Sequence, residues 1–399
     1  MGVAPAARAR DLGIVIGEMT PGPFNAITDV PGVRVGHATI IEGDGPLVVG
    51  QGPVRTGVTV VIPHDGDVWR EPVFAASHVL NGNGEMTGLA WVRESGLLGG
   101  PVAITNTHSV GVVRDALVAE GVRSQPAGES YWSLPIVGET WDGILNDVDG
   151  FHVRPEHVSA ALADARGGAV AEGSVGGGRG MNCHEFKGGI GTSSRRLPER
   201  AGGWTLGVLV QANYGRRGLL RIDGVPVGAE ITPREVPTPR SSMQPASASS
   251  APAGGVDRER EGSIIIIVAT DAPLLPHQCR RIAQRAGLGM ARTGGTGATT
   301  SGDLFLAFST GNRGLPPAEG ARTEPGVVTV RTLADQGLDP LFEATIEATE
   351  EAIVNALVAA ETMVGRDGHT SHRLPHERLR EVMARFGRLH EGDQGRIEA

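Results

Sequence analysis

The 399-residue sequence predicts a layered fold of the α/β or α+β class. Three observations carry that expectation. Segments rich in Val, Ile and other apolar residues read as strands, and helical patterns fall between them. The clearest helical pattern keeps its apolar residues on one face, as a helix laid over a sheet does. One stretch, Ser263-Ile-Ile-Ile-Ile-Val-Ala-Thr270, is apolar without alternation, which suits a short strand covered on both faces.

Taken in order, residues 57–63 read as a strand and 72–80 as a helix, which is followed by the polar loop Asn81-Gly-Asn-Gly-Glu-Met-Thr-Gly88. Residues 101–106 and 204–214 read as strands, with helical patterns at 109–120 and 155–165 between them. Residues 235–262 are rich in Ser, Ala and Pro and cannot bury enough apolar surface to order themselves, so they read as a flexible linker. Beyond it come strand 263–270, helix 276–290, and strands 303–309 and 327–332. The clearest helix starts at Asp339 as N-cap with Pro340 at its first position and runs to near Gly365. Ile346, Ile353, Leu357, Ala360 and Val364 mark its apolar face, and the charged tail after His369 reads as peripheral.

Composition narrows the class of function. Net charge is −9 with both signs mixed and no basic patch, which argues against nucleic acid as a partner. No segment approaches the roughly 20 apolar residues of a membrane span, and the N-terminus lacks a signal-peptide core. Two cysteines, Cys183 and Cys279, make no disulfide framework, so a soluble, reducing, cytoplasmic setting is expected. The 60 glycines recur inside apolar segments, which points to tight turns and close backbone approaches.

A search for metal and phosphate chemistry gives little. His64-Asp65-Gly66-Asp67 is explained by a polar turn after a strand, and Cys183-His184-Glu185 lacks a second ligand cluster. The run Gly176-Gly177-Gly178-Arg179-Gly180 lacks the Lys-Ser/Thr ending of a phosphate loop. Neither a GxSxG elbow nor an HExxH helix occurs.

The junction Gly262-Ser263 is the chemical feature of the chain. A hydroxyl residue opening a buried strand, fed by an unstructured arm, suits an N-terminal nucleophile. If the bond before Ser263 breaks, the new α-amine lies beside the hydroxyl and serves as its base. Asn213 in Gln211-Ala-Asn-Tyr-Gly215 ends a strand where an amide can hold a polarised carbonyl. Ser301 and Asp303 share a face by alternation and could relay a proton or orient the Ser263 amine. Each alone is more often structural; their joint occurrence gives them weight.

These residues carry a resemblance. Asn81 through Gly88, Thr105-Asn-Thr-His-Ser-Val-Gly111, Gly138-Glu-Thr-Trp-Asp-Gly143, Phe186-Lys-Gly-Gly-Ile-Gly-Thr-Ser-Ser194, Gln211 through Gly215 and Gly262 through Leu275 resemble the L-aminopeptidase/D-esterase family, which includes the β-peptidyl aminopeptidases. The similarity runs from about Ile27 through Val364. It implies an inactive precursor, one hydrolase domain over 1–399, that cleaves itself into an α chain, 1–262, and a β chain, 263–399. It also implies a four-layer αββα sandwich similar to Ntn hydrolases, and assembly into homo-oligomers, often tetramers of αβ units. Carried over, Ser263 is the nucleophile, Asn213 the oxyanion-stabilising amide, and Ser301 with Asp303 the relay. Glu139 holds the substrate's ammonium group.

The chain departs from the family pattern at Trp141, where Tyr is frequent, at Arg179 in the glycine loop, and at Thr299-Thr300 before Ser301. An indole keeps stacking area but only donates hydrogen bonds, so Trp141 bears on substrate preference. The expected function is an autoprocessing serine aminopeptidase or amidase acting, without metal or organic cofactor, on small amides, esters or short peptides with a free amine. Two alternatives stay open: a pathway-specific amidase on a pantetheine-like amide, and a catalytically silent amine-binding protein.

Overall fold

From its N-terminal side the chain forms β1 (Arg34–Glu42), β2 (Val54–Ile62), β3 (Val73–Gly82), α1 (Leu89–Ser95), β4 (Leu97–Leu98), β5 (Val102–Asn106), α2 (Val110–Ser124), β6 (Ile136–Thr140) and α3 (Pro155–Asp164). A short hairpin follows, β7 (Asn182–Cys183) and β8 (Phe186–Lys187), then β9 (Gly189–Arg196), β10 (Thr205–Tyr214) and the single turn α4 (Val227–Glu230). The remaining elements are β11 (Gly262–Thr270), α5 (Pro276–Arg292), β12 (Gly302–Ser309), α6 (Asp339–Val358), the pair β13 (Met363–Val364) and β14 (Thr370–Ser371), and α7 (His376–Arg385). The computed structural model describes residues 6–242, 262–317 and 326–390.

Two sheets stack at the centre. One has the order β1-β2-β5-β6, the other β4-β3-β12-β11-β10-β9. Strand β11 lies inside the larger sheet, antiparallel to β10 over nine residues and parallel to β12 over eight. Its unbroken apolar run is explained by the two cores it joins. Ile264, Ile266 and Val268 pack into a cluster with α5 and α6. Ile265, Ile267 and Ala269 face the smaller sheet, against Val61, Val102 and Ile104. The far side of the smaller sheet, with Val58, Val60, Ala103 and Val137, is covered by Val113 and Leu117 of α2 and Val158 and Ala161 of α3. The layers are therefore helix, sheet, sheet, helix, the expected four-layer αββα sandwich of the α+β class.

Several local expectations are corrected. Of residues 72–80, expected helical, 73–80 lie in strand β3, because pairing with β12 across Gly302 to Ser309 outweighs a weak helical pattern. The loop at Asn81 to Gly88 thus follows a strand. Residues 327–332 are no strand: Val327 is 99% exposed, with no ladder to join. Helix α6 stops at Val358, short of Gly365. From Glu347 to Val358 it is buried all round rather than on one face, since β9, β10 and α5 pack against it and the segment at Ala9 and Arg10 bonds to Asn355 and Glu351. The tail contains α7, which buries Leu379, Val382 and Met383 in the helix-side core. Within the linker expected at 235–262, Val236 and Pro239 are buried, and the Val236 carbonyl accepts from Arg217 Nη1 at 3.0 Å. Gly262 belongs to β11, and 243–261 lie outside the described residues.

A charged cluster is buried between β9 and α6. Arg195 on β9 is fully buried and reaches Glu347 Oε2 at 2.9 Å and Glu351 Oε2 at 2.7 Å, both on α6. Burial alone would raise the Glu351 carboxyl; Arg195 and Arg10, with Asn25, override it and hold the group below its ordinary value.

Candidate active site

The site begins where β11 begins. Gly262 has φ +52°, and a Cβ there would lie 1.7 Å from the Asn213 carbonyl oxygen, so only glycine fits. Ser263 stands directly opposite Asn213 on β10 and beside Gly302 on β12. Gly302 is also close-packed, since a Cβ would come within 2.6 Å of the Asn83 carbonyl. The Asn83–Gly84 turn therefore closes over the start of the strand. Alternation along β11 puts Ser263 on the face of Ile265 and Ile267, toward the smaller sheet.

Between the sheets at this point lies a cavity of about 830 Å³. Ser263, Asn213, Glu139, Trp141, Asn182 and Thr107 line it, with Glu85, Glu185 and Arg240 around them. The cavity is large enough for a small peptide or amide.

The Asn213 amide is fixed in orientation by its partners. Its Oδ1 accepts from the Asn182 backbone N–H at 2.8 Å, and its Nδ2 donates to the Trp141 carbonyl at 2.9 Å. An N–H can only donate and a carbonyl only accept, so the amide cannot be flipped without losing both bonds. One Nδ2 hydrogen is used by Trp141; the second belongs to a group that lines the cavity beside Ser263.

Glu139, on β6, is 3% exposed. Its Oε1 accepts from the Glu85 backbone N–H at 2.9 Å, and its Oε2 accepts from the Thr107 hydroxyl. Burial pushes its carboxyl above the ordinary range; those two bonds oppose the rise, and the nearby Glu85 charge adds to it. A cation entering the cavity would relieve that cost. Trp141 is 37% exposed and lays its ring over Gly143 at the cavity.

Ser301 and Asp303 come together as expected, the Ser301 hydroxyl donating to Asp303 Oδ1 at 2.6 Å. They do not line the cavity. Asp303 stands opposite Ile264, so its side chain leaves the sheet on the helix side, where Tyr214 is its neighbour. Asp303 is therefore on the opposite face of the sheet from the Ser263 side chain.

Other sequence candidates are structural. His64 bonds through Nε2 to the Glu71 carbonyl and through Nδ1 to the Gly66 N–H and Arg313. Cys183 and His184 are buried at the β7–β8 turn; burial pushes the thiol up to about 12 and the imidazole down to about 4. Among the described residues no three His, Cys, Asp or Glu are grouped to hold a metal ion, and no helix is long and apolar enough to cross a membrane. Sequence reasoning missed Thr107, Asn182 and Glu85, which reach Glu139 and Asn213 through backbone or hydroxyl groups. Thr107 lay in a quoted motif, but nothing about a lone threonine signals that it holds a carboxylate 32 residues away.

Comparison with known proteins gives the family. The model of peptidase family S58 matches residues 25–371. The chain is 48% identical over 386 residues to the β-peptidyl aminopeptidase of Sphingosinicella microcystinivorans, covering 97% of this chain and 94% of that protein. A Burkholderia sp. β-aminopeptidase structure superposes with a TM-score of 0.86 at 52% identity, over 96% of this chain and 99% of the other. The L-aminopeptidase D-Ala-esterase/amidase of Ochrobactrum anthropi, described as a new variant of the Ntn hydrolase fold, gives a TM-score of 0.84 at 42% identity over 96% and 99%. A serine at the head of a core strand, an oriented amide opposite it and a buried carboxylate across one cavity are thus found in a chain that belongs to peptidase family S58, as a serine aminopeptidase/amidase.

Proposed function

We propose that the chain is a precursor that cuts itself between Gly262 and Ser263, and that Ser263 then hydrolyses amides or esters of small substrates and short peptides bearing a free amine. The observation that carries this reading is the position of Ser263, directly after a glycine that only glycine can occupy and facing Asn213 across one strand spacing. In self-cleavage the Ser263 Oγ adds to the Gly262 carbonyl carbon and gives its proton to the departing Ser263 nitrogen. The C–N bond breaks, leaving an ester and a free α-amine, and water then hydrolyses the ester to the Gly262 carboxylate and the Ser263 hydroxyl. That amine starts near 7.7–8.0 and is a fit base at neutral pH.

In turnover the amine takes the Oγ proton as Oγ attacks the substrate carbonyl, and the free Nδ2 hydrogen of Asn213 meets the developing oxyanion. The leaving amine receives the proton, and water, deprotonated by the same α-amine, hydrolyses the acyl-ester. Ser301 and Asp303 orient the α-amine from behind the strand. Glu139 receives the substrate ammonium, its desolvated carboxylate gaining a counter-charge.

Intact mass measurement of the purified protein tests the precursor reading: the native chain should give two fragments, 1–262 and 263–399, and Ser263→Ala only the full-length chain without activity. Hydrolysis of β-alanyl and L-alanyl p-nitroanilides by the native protein reads out its acyl preference. Appreciable turnover by Ser263→Ala would move the chemistry elsewhere.

A further inference from the structure

Of the 36 Lys and Arg residues in this chain, Lys187 is the single lysine. A chain that uses arginine at every other basic position has kept an ammonium here. Lys187 is fully buried on β8, a rare condition for lysine. Its Nζ donates to three backbone carbonyls: Gly188 at 2.7 Å, Met181 at 2.8 Å and Gly178 at 3.3 Å. A protonated amine has three N–H bonds to give, and they diverge tetrahedrally from one point. The flat guanidinium fork cannot reproduce that arrangement, which accounts for lysine at this position alone.

The Met181 carbonyl belongs to the same peptide unit as the Asn182 N–H. In a trans peptide those two groups point in opposite directions. One end of this unit accepts from Lys187, and the other donates to Asn213 Oδ1 at 2.8 Å. The side-chain amide of Asn213 repeats the pattern, with Oδ1 accepting at one end and Nδ2–H available at the other. The path runs from the ammonium through one backbone amide and one side-chain amide to the hydrogen that lines the cavity at Ser263. Hydrogen bonds aligned in a chain polarise one another in the same sense. A cation at the acceptor end draws electron density toward itself and leaves the far N–H a better donor. The β7–β8 hairpin holds the path in place, with Asn182 opposite Lys187 and the Gly188 N–H also donating to the Met181 carbonyl at 2.9 Å.

We infer that Lys187 is a positioning residue for the reaction: through the Met181–Asn182 peptide it fixes and polarises the Asn213 amide that stabilises the oxyanion. The inference rests on the reading of Asn213 proposed above. Burial, with Arg179 nearby, holds the lysine well below its ordinary value against the pull of Asp142; the geometry is nonetheless that of the charged form, since three bonds are donated from Nζ and a neutral amine has only two N–H to give.

The test is a double-mutant cycle with Lys187→Met, Asn213→Ala and the two combined. Rates on alanyl p-nitroanilide are taken per processed chain, and melting temperatures are recorded for each. Lys187→Met is expected to lower kcat by about tenfold with KM within about twofold, less than the roughly 10²–10³ of deleting the donor. In the Asn213→Ala background it should cost nothing further. Should a variant remain uncut, the rate of precursor conversion followed by mass spectrometry replaces kcat in the same cycle. An unchanged rate in Lys187→Met, or an equal loss in both backgrounds, overturns the inference. An unchanged rate in Asn213→Ala alone would instead overturn the reading of Asn213. A second measurement needs no variant at position 187. Lysine labelled with ¹⁵N at Nζ introduces a single side-chain signal, expected to shift when a peptidyl boronate forms a tetrahedral adduct on Ser263, and not to shift in Asn213→Ala. A signal indifferent to the adduct in the native protein counts equally against it.

Discussion

At the scale of single residues, Glu139 and Gly262 make the sharpest demands. Glu139 has its carboxyl raised by burial, so it gains a proton at a higher pH than the roughly 4.3 of an exposed glutamate. The charged form, which attracts an ammonium, is present above that raised value and is lost as pH falls through it. The ratio of kcat/KM for a free-amine substrate over its N-acetyl analogue isolates this effect, because titration of the Ser263 amine enters both rates. The ratio should fall as pH drops from 7 through Glu139's raised range. In Glu139→Gln it should be small and flat; a ratio unchanged by the substitution would leave Glu139 a structural partner of Thr107. Gly262→Ala places a methyl group where the Asn213 carbonyl already is and forces a strained φ. It should accumulate as uncut chain on a denaturing gel, and processing at the native rate would show that the strand start can shift to admit it.

Elements were legible in the sequence to the degree that their residues declare burial. The four consecutive isoleucines of β11 could only be a strand with two covered faces, and both cores are found there. Strand β3 was misread because Val-Phe-Ala-Ala-Ser-His-Val-Leu has neither clean alternation nor strong β-branching; its identity comes from β12 beside it. Helix α6 looked one-sided from Ile346, Ile353 and Leu357, but Glu347 and Glu351 are buried as well, answered by Arg195, Arg10 and backbone N–H groups. The gathering of Ser263, Asn213 and Glu139 at one cavity was legible because each lies in a distinctive motif. The site was not legible where backbone groups carry the chemistry, as at Asn182 and Glu85. The Arg195 cluster sets an expectation at this scale. Arg195→Met would strand Glu347 and Glu351 and should cost about 3–5 kcal/mol in urea unfolding. A cost below about 1 kcal/mol would mean that Arg10 and Asn25 satisfy Glu351 unaided.

Across the whole molecule, a cut before Ser263 would divide the sheet without dividing the fold. Fragment 263–399 would own β11 and β12, adjacent strands in the middle of the six-stranded sheet, with β10 on one side and β3 on the other. Removing it would break a nine-residue ladder and an eight-residue ladder together and expose both faces of the isoleucine run. The processed protein should therefore elute as one species in native buffer and part into two bands only in denaturant. Separate elution of the fragments under native conditions would show that the interleaving does not bind them.

The close approach of Gly262 to Asn213 has a last consequence, one of timing. The two residues are 49 positions apart in sequence and meet only when β10 and β11 have found their register. A nascent, misregistered or collapsed chain holds no groups in place with which to cut itself. On the proposed mechanism each severed bond is then a permanent mark left by one successful folding event. The proportion of cut chains in a cell extract becomes a record of how many molecules ever reached the native state.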